Sequence, residues 1–267
     1  MGDRGYIPYR EIVKELDIKK GDMVYIISDL LALVKKARDY DEIINIEEFI
    51  VSLQEAVGDE GTLLFPTFNW DFCKGIQFDY YKTRGMTGVL GNKSLAMKNF
   101  KRTKHPIYSF SVWGKERECL VGLDNHSAFG AESPFEYMKS HGAKALVIGL
   151  SASVGNSFIH YAEQEENVTY RYHKAFSAKY IDEMGVESER TYSMYVRNLD
   201  MNLKATDFTG IDLVISKLGI SIDYLLNEVP FHLVDLKGLF EVISLEIRYN
   251  QAKNLYVMQG ENDEKIK

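Results

Sequence analysis

Residues 143–166, AKALVIGLSASVGNSFIHYAEQEE, contain the feature that most restricts the fold of this chain. The segment begins as an uninterrupted apolar run, breaks at Gly149 into a loop of small residues, and resumes as a helix with Asn156 or Ser157 in the capping position. A buried strand, a tight loop and a helix in this order are typical of α/β sheets, whose ligands bind at the carboxyl ends of the strands. We therefore predict a ligand-binding loop here.

Two ionisable side chains lie close together on the predicted helix. His160 falls in its first turn, where the positive end of the helix dipole favours the neutral imidazole, the form that accepts a proton near neutral pH. Glu163 follows three residues later and shares the same helix face. A histidine in such a position is more often structural than catalytic. On local grounds, the pair is a candidate general base with a carboxylate that orients it.

Other segments repeat the strand and helix pattern. We predict a strand over 23–27 followed by a helix cap at Ser28 and Asp29, an amphipathic helix over 46–57, and a core strand over 62–65. Later strands are predicted at 168–180, 190–198 and 230–236, and helices at 87–100, 206–218, 222–226 and 239–250. The expected fold is α/β, with a mixed central sheet flanked by helices on both faces and a smaller C-terminal α+β portion. Residues 1–267 then form a single domain, with 260–267 as a disordered tail.

Composition limits the class of protein. The 267 residues are 45% hydrophobic, enough for a substantial core, but no apolar run is long enough to cross a membrane. The charged start argues for a cytoplasmic protein, and the spacing of Cys73 and Cys119 argues against a disulfide framework or a metal site. A formal charge of −7 argues against nucleic acid as the main partner. We leave a homodimer open.

One stretch departs from the acidic balance. Residues 93–105, KSLAMKNFKRTKH, carry five Lys and Arg residues and no acidic residue. The stretch is either a solvated helix face followed by a basic loop or a site at which phosphates bind.

Several short motifs, taken together and in order, resemble the aminoglycoside 3-N-acetyltransferase family, the antibiotic N-acetyltransferases with their own α/β fold. The motifs are ISDL at 27–30, GDEGTL at 58–63 leading to PTF at 66–68, RTKHP at 102–106 with Ser109 downstream, GAESPF at 130–135, and NSFIHYAE at 156–163. The resemblance extends from about residue 9 to residue 257. The order and approximate spacing of the five motifs make it specific.

The resemblance implies transfer of an acetyl group from acetyl-CoA to an amine of an amino sugar, most closely the 3-amino group of an aminoglycoside antibiotic. A sugar ammonium is not nucleophilic, so a base must take its proton before the nitrogen attacks the thioester carbonyl directly. The family pattern assigns this role to His160, with Glu163 orienting it, and places His105 at the CoA or reaction centre.

The same resemblance implies the binding residues. Those expected to contact CoA are Ser28, Asp29, Leu30, Thr67, Arg102, Thr103 and Ser109, with the nearby lysines neutralising its phosphates. Those expected to contact the substrate are Glu132, Asn156 and Trp70, the last from an aromatic loop of a kind that often forms pocket walls.

The chain also departs from the family pattern. Ile27 stands where the family often has a histidine, and Asp29 replaces the second residue of a serine pair, which adds a negative charge near the expected CoA phosphates. In the loop before His160, Ser153 or Val154 takes the place of a common acidic residue. Loss of that carboxylate bears on recognition of a polycationic antibiotic and leaves the acetyl-transfer machinery intact.

Three alternatives stay open on the sequence. The same chemistry on a metabolic, nucleotide-linked amino sugar for surface polysaccharide is favoured by the aromatic loop, whereas Glu163, Glu165, Glu166 and the net charge favour the antibiotic. A non-catalytic CoA- or sugar-binding protein of the same fold is a second alternative. A hydrolase that pairs Ser151 or Ser153 with His160 is the third, but it lacks a Gly-x-Ser-x-Gly elbow.

Overall fold

The strands and helices follow one another along the chain in an α/β order. The computed structural model describes residues 5–258. The strands are β1 (Met23–Ser28), β2 (Thr62–Pro66), β3 (Phe78–Asp79), β4 (Lys101–Arg102), β5 (Phe110–Gly114), β6 (Lys144–Ile148), β7 (Arg171–Ile181), β8 (Glu187–Arg197), β9 (Leu203–Ala205), β10 (Ser221–Leu226), β11 (Val229–Asp235) and β12 (Tyr256–Met258). The α-helices are α1 (Tyr9–Ile12), α2 (Leu31–Arg38), α3 (Ile46–Val57), α4 (Val89–Leu95), α5 (Arg117–Gly122), α6 (Pro134–Ser140), α7 (Phe158–Glu165), α8 (Thr209–Lys217) and α9 (Leu236–Asn250). The tail predicted at 260–267 lies outside the described residues.

A seven-stranded mixed sheet with the order β10-β11-β6-β1-β2-β5-β4 forms the centre. The three central strands, β6, β1 and β2, are parallel, and the strands on both sides of them are antiparallel to their neighbours. The predicted mixed α/β architecture is confirmed. Because β1, β2 and β6 run in the same direction, their carboxyl ends meet at one edge of the sheet.

Side chains of β1 alternate between two hydrophobic clusters, one on each face of the sheet. Val24 and Ile26 pack in the cluster that contains Phe49 of α3, whereas Tyr25 and Ile27 pack in the cluster that contains Phe110. Each fully buried aliphatic or aromatic side chain contributes about 1.5–3 kcal/mol. Burial on both faces explains why the central strands read as continuous apolar runs.

Helix α3 begins and ends where the sequence predicts. The Asn45 side chain accepts hydrogen bonds from the backbone N–H groups of Glu47 and Glu48, and Gly58 follows the last residue with φ of 66°. The buried residues are Phe49, Ile50, Leu53 and Val57. Four members of the predicted apolar stripe therefore face the core.

The helix predicted at 222–226 is wrong, because this segment is strand β10. It pairs with β11 along its whole length, from Ser221 opposite Val234 to Leu226 opposite Val229. Asn227 and Glu228 form the two-residue turn between the strands, and both have positive φ, 49° and 63°. This is the geometry of a tight hairpin. The helix predicted at 87–100 is also shorter than expected, since α4 ends at Leu95.

A second, smaller sheet contains β3, β7 and β8. The β7–β8 hairpin pairs eleven residues of each strand, and β7 begins at Arg171, six residues after α7 ends. A two-stranded sheet of β9 and β12, together with α8 and α9, completes the C-terminal part. Within residues 5–258, no helix combines the length and the apolar character needed to span a bilayer.

We expect Gly149→Ala to destabilise the fold more than Gly185→Ala. Both glycines have left-handed φ, 72° and 77°, but a Cβ on Gly149 would lie 2.1 Å from the carbonyl oxygen of Asp29, whereas one on Gly185 would meet nothing within 4 Å. The shared conformational penalty is about 1–2 kcal/mol, and the clash adds about 1–3 kcal/mol. Urea denaturation of the two variants measures the difference, and equal losses would contradict it.

Candidate functional site

A cavity of about 700 Å³ opens at the carboxyl ends of β1, β2 and β6. Ser28, Asp29 and Leu30, all predicted as binding residues, line it, and so does the predicted substrate residue Trp70. Much of the remaining lining is aliphatic and comes from Ile27, Leu31, Val34, Val89 and Leu150. The parallel strands therefore form an apolar cavity at the edge where the sequence places ligand binding.

Asp29 fixes the rim of this cavity. Its Oδ1 accepts a hydrogen bond of 2.9 Å from the backbone N–H of Leu31, and its own N–H donates to the carbonyl of Ile148 at 2.9 Å. The N-cap of α2 is Leu30, one residue after the predicted cap, so the first contact is a turn just before the helix. The second contact joins the end of β1 to the end of β6. The carboxylate of Asp29 is thus engaged by the helix start.

Arg102 forms a buried polar network with Thr67 and Ser109. Its guanidinium is 2% exposed, and Nε donates to Ser109 Oγ at 3.0 Å while Nη2 donates to the carbonyl of Thr67 at 3.0 Å. Nη1 donates to the carbonyls of Tyr80 and Thr83. Burial lowers the pKa of Arg102 to about 10. Each guanidinium nitrogen of Arg102 donates to a protein acceptor, and its contact with a CoA phosphate stays a prediction.

Thr67, Ser109 and Thr103, which are also predicted to contact CoA, are buried as well, and their contacts with CoA stay predictions. Thr67 and Ser109 are fully buried partners of that network, with Thr67 Oγ1 donating to the carbonyl of Ser109 at 3.0 Å. Thr103 is 1% exposed, and its Oγ1 accepts from the N–H of Phe110 at 2.9 Å. These side chains join the ends of strands.

His105 is also buried, and its place at the CoA or reaction centre stays a prediction. Its Nδ1 accepts a hydrogen bond of 3.1 Å from the N–H of Tyr108, and its ring packs against Tyr192. Burial lowers the pKa of His105 to about 3. The ring is therefore neutral near pH 7.

The lysines around Arg102 are mostly paired. Lys93 contacts Glu47 at 2.8 Å, Lys101 contacts Glu118 at 2.8 Å, and Lys104 contacts Glu183 at 3.7 Å. Of the two interpretations of the basic stretch, the solvated surface is therefore the better one.

His160 and Glu163 form a hydrogen-bonded pair on α7. His160 Nδ1 lies 2.7 Å from Glu163 Oε2, and Tyr170 donates its hydroxyl to Glu163 Oε1 at 3.0 Å. The Glu163 side chain is fully buried, whereas 28% of the His160 side chain is exposed. Their contact satisfies the geometry that a general base and its orienting carboxylate require.

Arg171, the first residue of β7, closes the other side of this pair. Its Nε lies 2.7 Å from Glu163 Oε2, and its Nη2 lies 3.0 Å from His160 Nδ1. The Nε–H does not point along the first separation, so this contact is an ion pair rather than an aligned hydrogen bond. Nη2 also donates to the hydroxyl of Tyr256 on β12.

The charges around His160 decide its tautomer. Burial would raise the pKa of Glu163, but the hydrogen bond from His160 and the charge of Arg171 hold it below its ordinary value, so the carboxylate is ionised. The ionised Glu163 can only accept and Nη2 of Arg171 can only donate, so their two contacts with Nδ1 compete for the imidazole proton, and the general-base assignment places that proton on Nδ1, toward Glu163. Burial, followed by the charge of Arg171, lowers the pKa of His160 against the opposing effect of Glu163.

The other ring nitrogen of His160 is open to solvent. Among the described residues, Nε2 makes no hydrogen bond, and it is not one of the buried unpaired atoms. With the proton on Nδ1, the lone pair of Nε2 is free to accept a proton. Ser151 and Ser153 are not among the hydrogen-bonding neighbours of His160 in the described chain, so the Ser–His hydrolase has no support.

A row of aromatic side chains connects the cavity with His160. Trp70 at the cavity contacts Tyr108, Tyr108 contacts Phe129, and Phe129 contacts the His160 ring, with centroid separations of 6.4, 4.7 and 5.8 Å. Ser157, one helical turn before His160, also lines the cavity. His160 therefore lies beside the cavity rather than among its lining residues.

The two remaining predicted substrate residues lie elsewhere. Asn156 is 3% exposed, and its Oδ1 accepts from the N–H of Phe158, the first residue of α7, while its contact with the substrate stays a prediction. Glu132 is exposed in a different cleft of about 440 Å³, together with Asp124 and Glu136.

Sequence reasoning assigned no role to Arg171, Tyr170 or Tyr256. Tyr170 and Arg171 stand at a strand start and look like ordinary strand residues, and Tyr256 lies 85 residues beyond Arg171. No local pattern relates the three positions. Only the fold brings them to Glu163.

Comparison with known proteins identifies the family and agrees with the fold. The sequence model of the family described as aminoglycoside 3-N-acetyltransferase matches residues 41–245. Among solved structures, AAC-IIIb in a binary complex with CoASH has a TM-score of 0.75 at 18% identity and covers 91% of this chain and 98% of that chain. The sisomicin-bound AAC-VIa structure has a TM-score of 0.75 at 20% identity, covering 91% and 98%. YokD from Bacillus subtilis has a TM-score of 0.73 at 18% identity, covering 93% and 96%.

We expect Arg102→Met to lower the free energy of unfolding by about 2–4 kcal/mol, because the carbonyls of Tyr80 and Thr83 and the hydroxyl of Ser109 lose the arginine donor. Lys101→Met, on the same short strand but exposed, is the matched control and should change stability little. Urea denaturation gives both values, and calorimetric titration of the folded variants gives the affinity for CoA. Unchanged stability of Arg102→Met with a large loss of CoA affinity would restore the phosphate contact.

Proposed function

This chain belongs to the aminoglycoside 3-N-acetyltransferase family, and from that membership we propose that it transfers an acetyl group from acetyl-CoA to an amine of an aminoglycoside, most specifically its 3-amino group. The single observation that carries the proposal is the contact between His160 Nδ1 and the buried, ionised Glu163, which leaves Nε2 of a neutral imidazole facing solvent. Residues 1–267 act as one acetyltransferase domain in this proposal, since the central sheet combines strands from both ends of the chain.

His160 acts as the general base. The substrate ammonium gives one proton to Nε2, and the resulting amine forms a bond to the acetyl carbonyl carbon. The bond between that carbon and the thioester sulfur breaks, and the nitrogen loses its second proton to solvent. The imidazole becomes an imidazolium hydrogen-bonded to Glu163, whose charge stabilises it. The proton then passes to solvent or to the leaving thiolate, which restores the neutral ring.

Acetyl-CoA, the second substrate, fits the cavity at the carboxyl ends of the parallel strands. The aliphatic lining from α2, β1 and α4 suits a narrow, largely apolar pantetheine chain. A solved structure of the same fold, AAC-IIIb, holds CoASH, which supports this use of the cavity. In this proposal Ser28 and Leu30 contact acetyl-CoA. The buried Arg102 network affects acetyl-CoA binding only through the loop that it holds in place.

The acceptor is an aminoglycoside in this proposal, and three observations support it. The family carries that activity, sisomicin is bound by AAC-VIa of the same fold, and the chain has a net charge of −7 that attracts polycations. Trp70 at the cavity and Glu132 in the acidic cleft remain the predicted acceptor contacts. A cytoplasmic location and a homodimer remain predictions.

We expect His160→Gln and Glu163→Gln each to reduce kcat at least about a hundredfold while CoA affinity stays within about twofold, because proton removal is lost and the cavity is untouched. His141→Gln, an exposed histidine at the end of α6, is the matched control and should keep full activity. Thiol release and calorimetric titration with CoA measure the two quantities. Full activity of His160→Gln would contradict the assignment of the base.

The pH dependence provides a second check of the base. Activity depends on unprotonated His160, and burial with the charge of Arg171 holds the pKa of this group below the ordinary histidine value. We therefore expect kcat to fall on the acid side only below about pH 6.5, the ordinary value, and to be lost as pH drops through the lowered pKa. An acid limb above that value would contradict a neutral base.

The acceptor class is tested by thiol release from acetyl-CoA against kanamycin-type and gentamicin-type antibiotics and a panel of amino-sugar nucleotides. We expect turnover with the antibiotics alone. Turnover with the nucleotide sugars alone would establish the metabolic acceptor instead. CoA binding without turnover on either group would establish a non-catalytic binding protein.

A further inference from the structure

The guanidinium of Arg171 is held against both members of the His160–Glu163 pair. It lies 2.7 Å from Glu163 Oε2 and 3.0 Å from His160 Nδ1, and its Nη1 donates to the carbonyl of Tyr195 at 3.0 Å. Only 7% of the side chain is exposed. Arg171 is therefore a fixed charge beside the imidazole rather than a mobile surface group.

We propose that Arg171 is a positioning residue that supplies the counter-charge of Glu163 and thereby keeps His160 uncharged between turnovers. This inference deepens the proposed function and rests on it for its catalytic meaning. The charge arrangement itself can be tested without any reaction.

The argument follows from the charges in contact with His160. Glu163 from α7 and Arg171 from β7 are the charged groups in contact with the ring among the described residues, and the hydroxyls of Tyr170 and Tyr256 complete the polar surroundings of that ion pair. Phe129 contacts the ring from an apolar side. The Glu163–Arg171 pair is neutral as a whole, so a proton on His160 would place a second cation against one carboxylate.

Removal of the arginine charge would reverse this balance. A buried carboxylate without a counter-ion is strongly unfavourable, and the nearest group that can gain a positive charge is His160. The pair would then rest as imidazolium and carboxylate, a form that cannot accept a proton from the substrate. A histidine with a carboxylate partner alone is thus protonated up to a higher pH than one whose carboxylate is already neutralised.

Tyr256, on the last strand of the described residues, also contacts the guanidinium of Arg171. Its hydroxyl accepts from Nη2, and its ring lies 5.7 Å from the guanidinium carbon and 4.8 Å from the Tyr170 ring. Tyr256 lies on β12, where it pairs with Ala205 of β9. It follows the segment 41–245 that matches the family. The C-terminal strand therefore fixes the orientation of the arginine.

The first measurement uses the unmodified protein. Nitrogen-15 NMR of the histidine rings, with the His160 signals assigned by comparison with His160→Gln, gives its tautomer and its pKa. We expect a neutral ring with the proton on Nδ1 throughout the neutral range. A doubly protonated ring at neutral pH, or a proton on Nε2, would overturn the inference.

The second measurement compares variants. Arg171→Gln should raise the pKa of His160 by about one unit or more, Arg171→Lys should give a value closer to the parent because the charge is kept, and Tyr256→Phe should give a smaller rise than Arg171→Gln. Arg248→Gln is the control, since it removes one positive charge from an ion pair with Glu166 at the surface. It should leave the His160 titration unchanged. Arg171→Met replaces Arg171→Gln where the latter does not fold.

The acid limb of kcat should move with the NMR titration. An Arg171→Gln protein that loses activity at all pH values with its His160 titration unchanged would show a structural role and overturn the inference. A parent protein without acetyl transfer, in which the titration nevertheless shifts as expected, would refute the proposed function and leave the role of Arg171 standing. The two ideas therefore fail separately.

Discussion

The buried charge of Glu163 is the constraint on which the rest of the site depends. An ionised carboxylate with no solvent exposure is stable only when its oxygens are paired, and here the partners come from α7 itself, from Tyr170, and from the start of β7. Loss of one partner leaves an uncompensated charge, at a cost of about 3–5 kcal/mol. The same carboxylate orients His160, so the requirement for stability and the requirement for proton transfer fix the same geometry.

The central part of the fold was readable from sequence because its signals are local. Asn45 and Gly58 delimit α3, and the apolar runs of β1 and β6 reflect burial on both faces. Segment 222–226 was misread because the pairing partner that makes it a strand follows the turn at Asn227, a residue whose left-handed conformation the helical interpretation did not use. The failure therefore concerned turn chemistry rather than hydrophobic pattern.

The candidate site was predicted unevenly, and the reason is physical. Residues next to the cavity, Ser28 to Leu30 and Trp70, stand directly after strands, where the α/β topology alone places ligands. For Arg102 and His105, the motif gave the position along the chain, but the residue types suggested solvent-exposed side chains. Both side chains are buried, and for the arginine this becomes clear only when its hydrogen-bond acceptors are known. Arg171 and Tyr256 could not be found at all, because their meeting with Glu163 depends on tertiary structure.

The buried Arg102 nevertheless affects the cavity indirectly, through the backbone carbonyls that it holds. Its guanidinium holds the carbonyls of Tyr80 and Thr83, and the chain then returns to β2, where Thr87 Oγ1 donates to the carbonyl of Pro66 at 2.9 Å and Met86 N–H donates to the carbonyl of Phe68 at 2.7 Å. Thr87 and the glycine after it line the cavity. Arg102 thus points inward to backbone carbonyls, and it supports one wall of the cavity without lining it. A motif residue identifies which part of the chain serves the site, and only burial and hydrogen bonding show whether it does so by touching the ligand or by holding the wall.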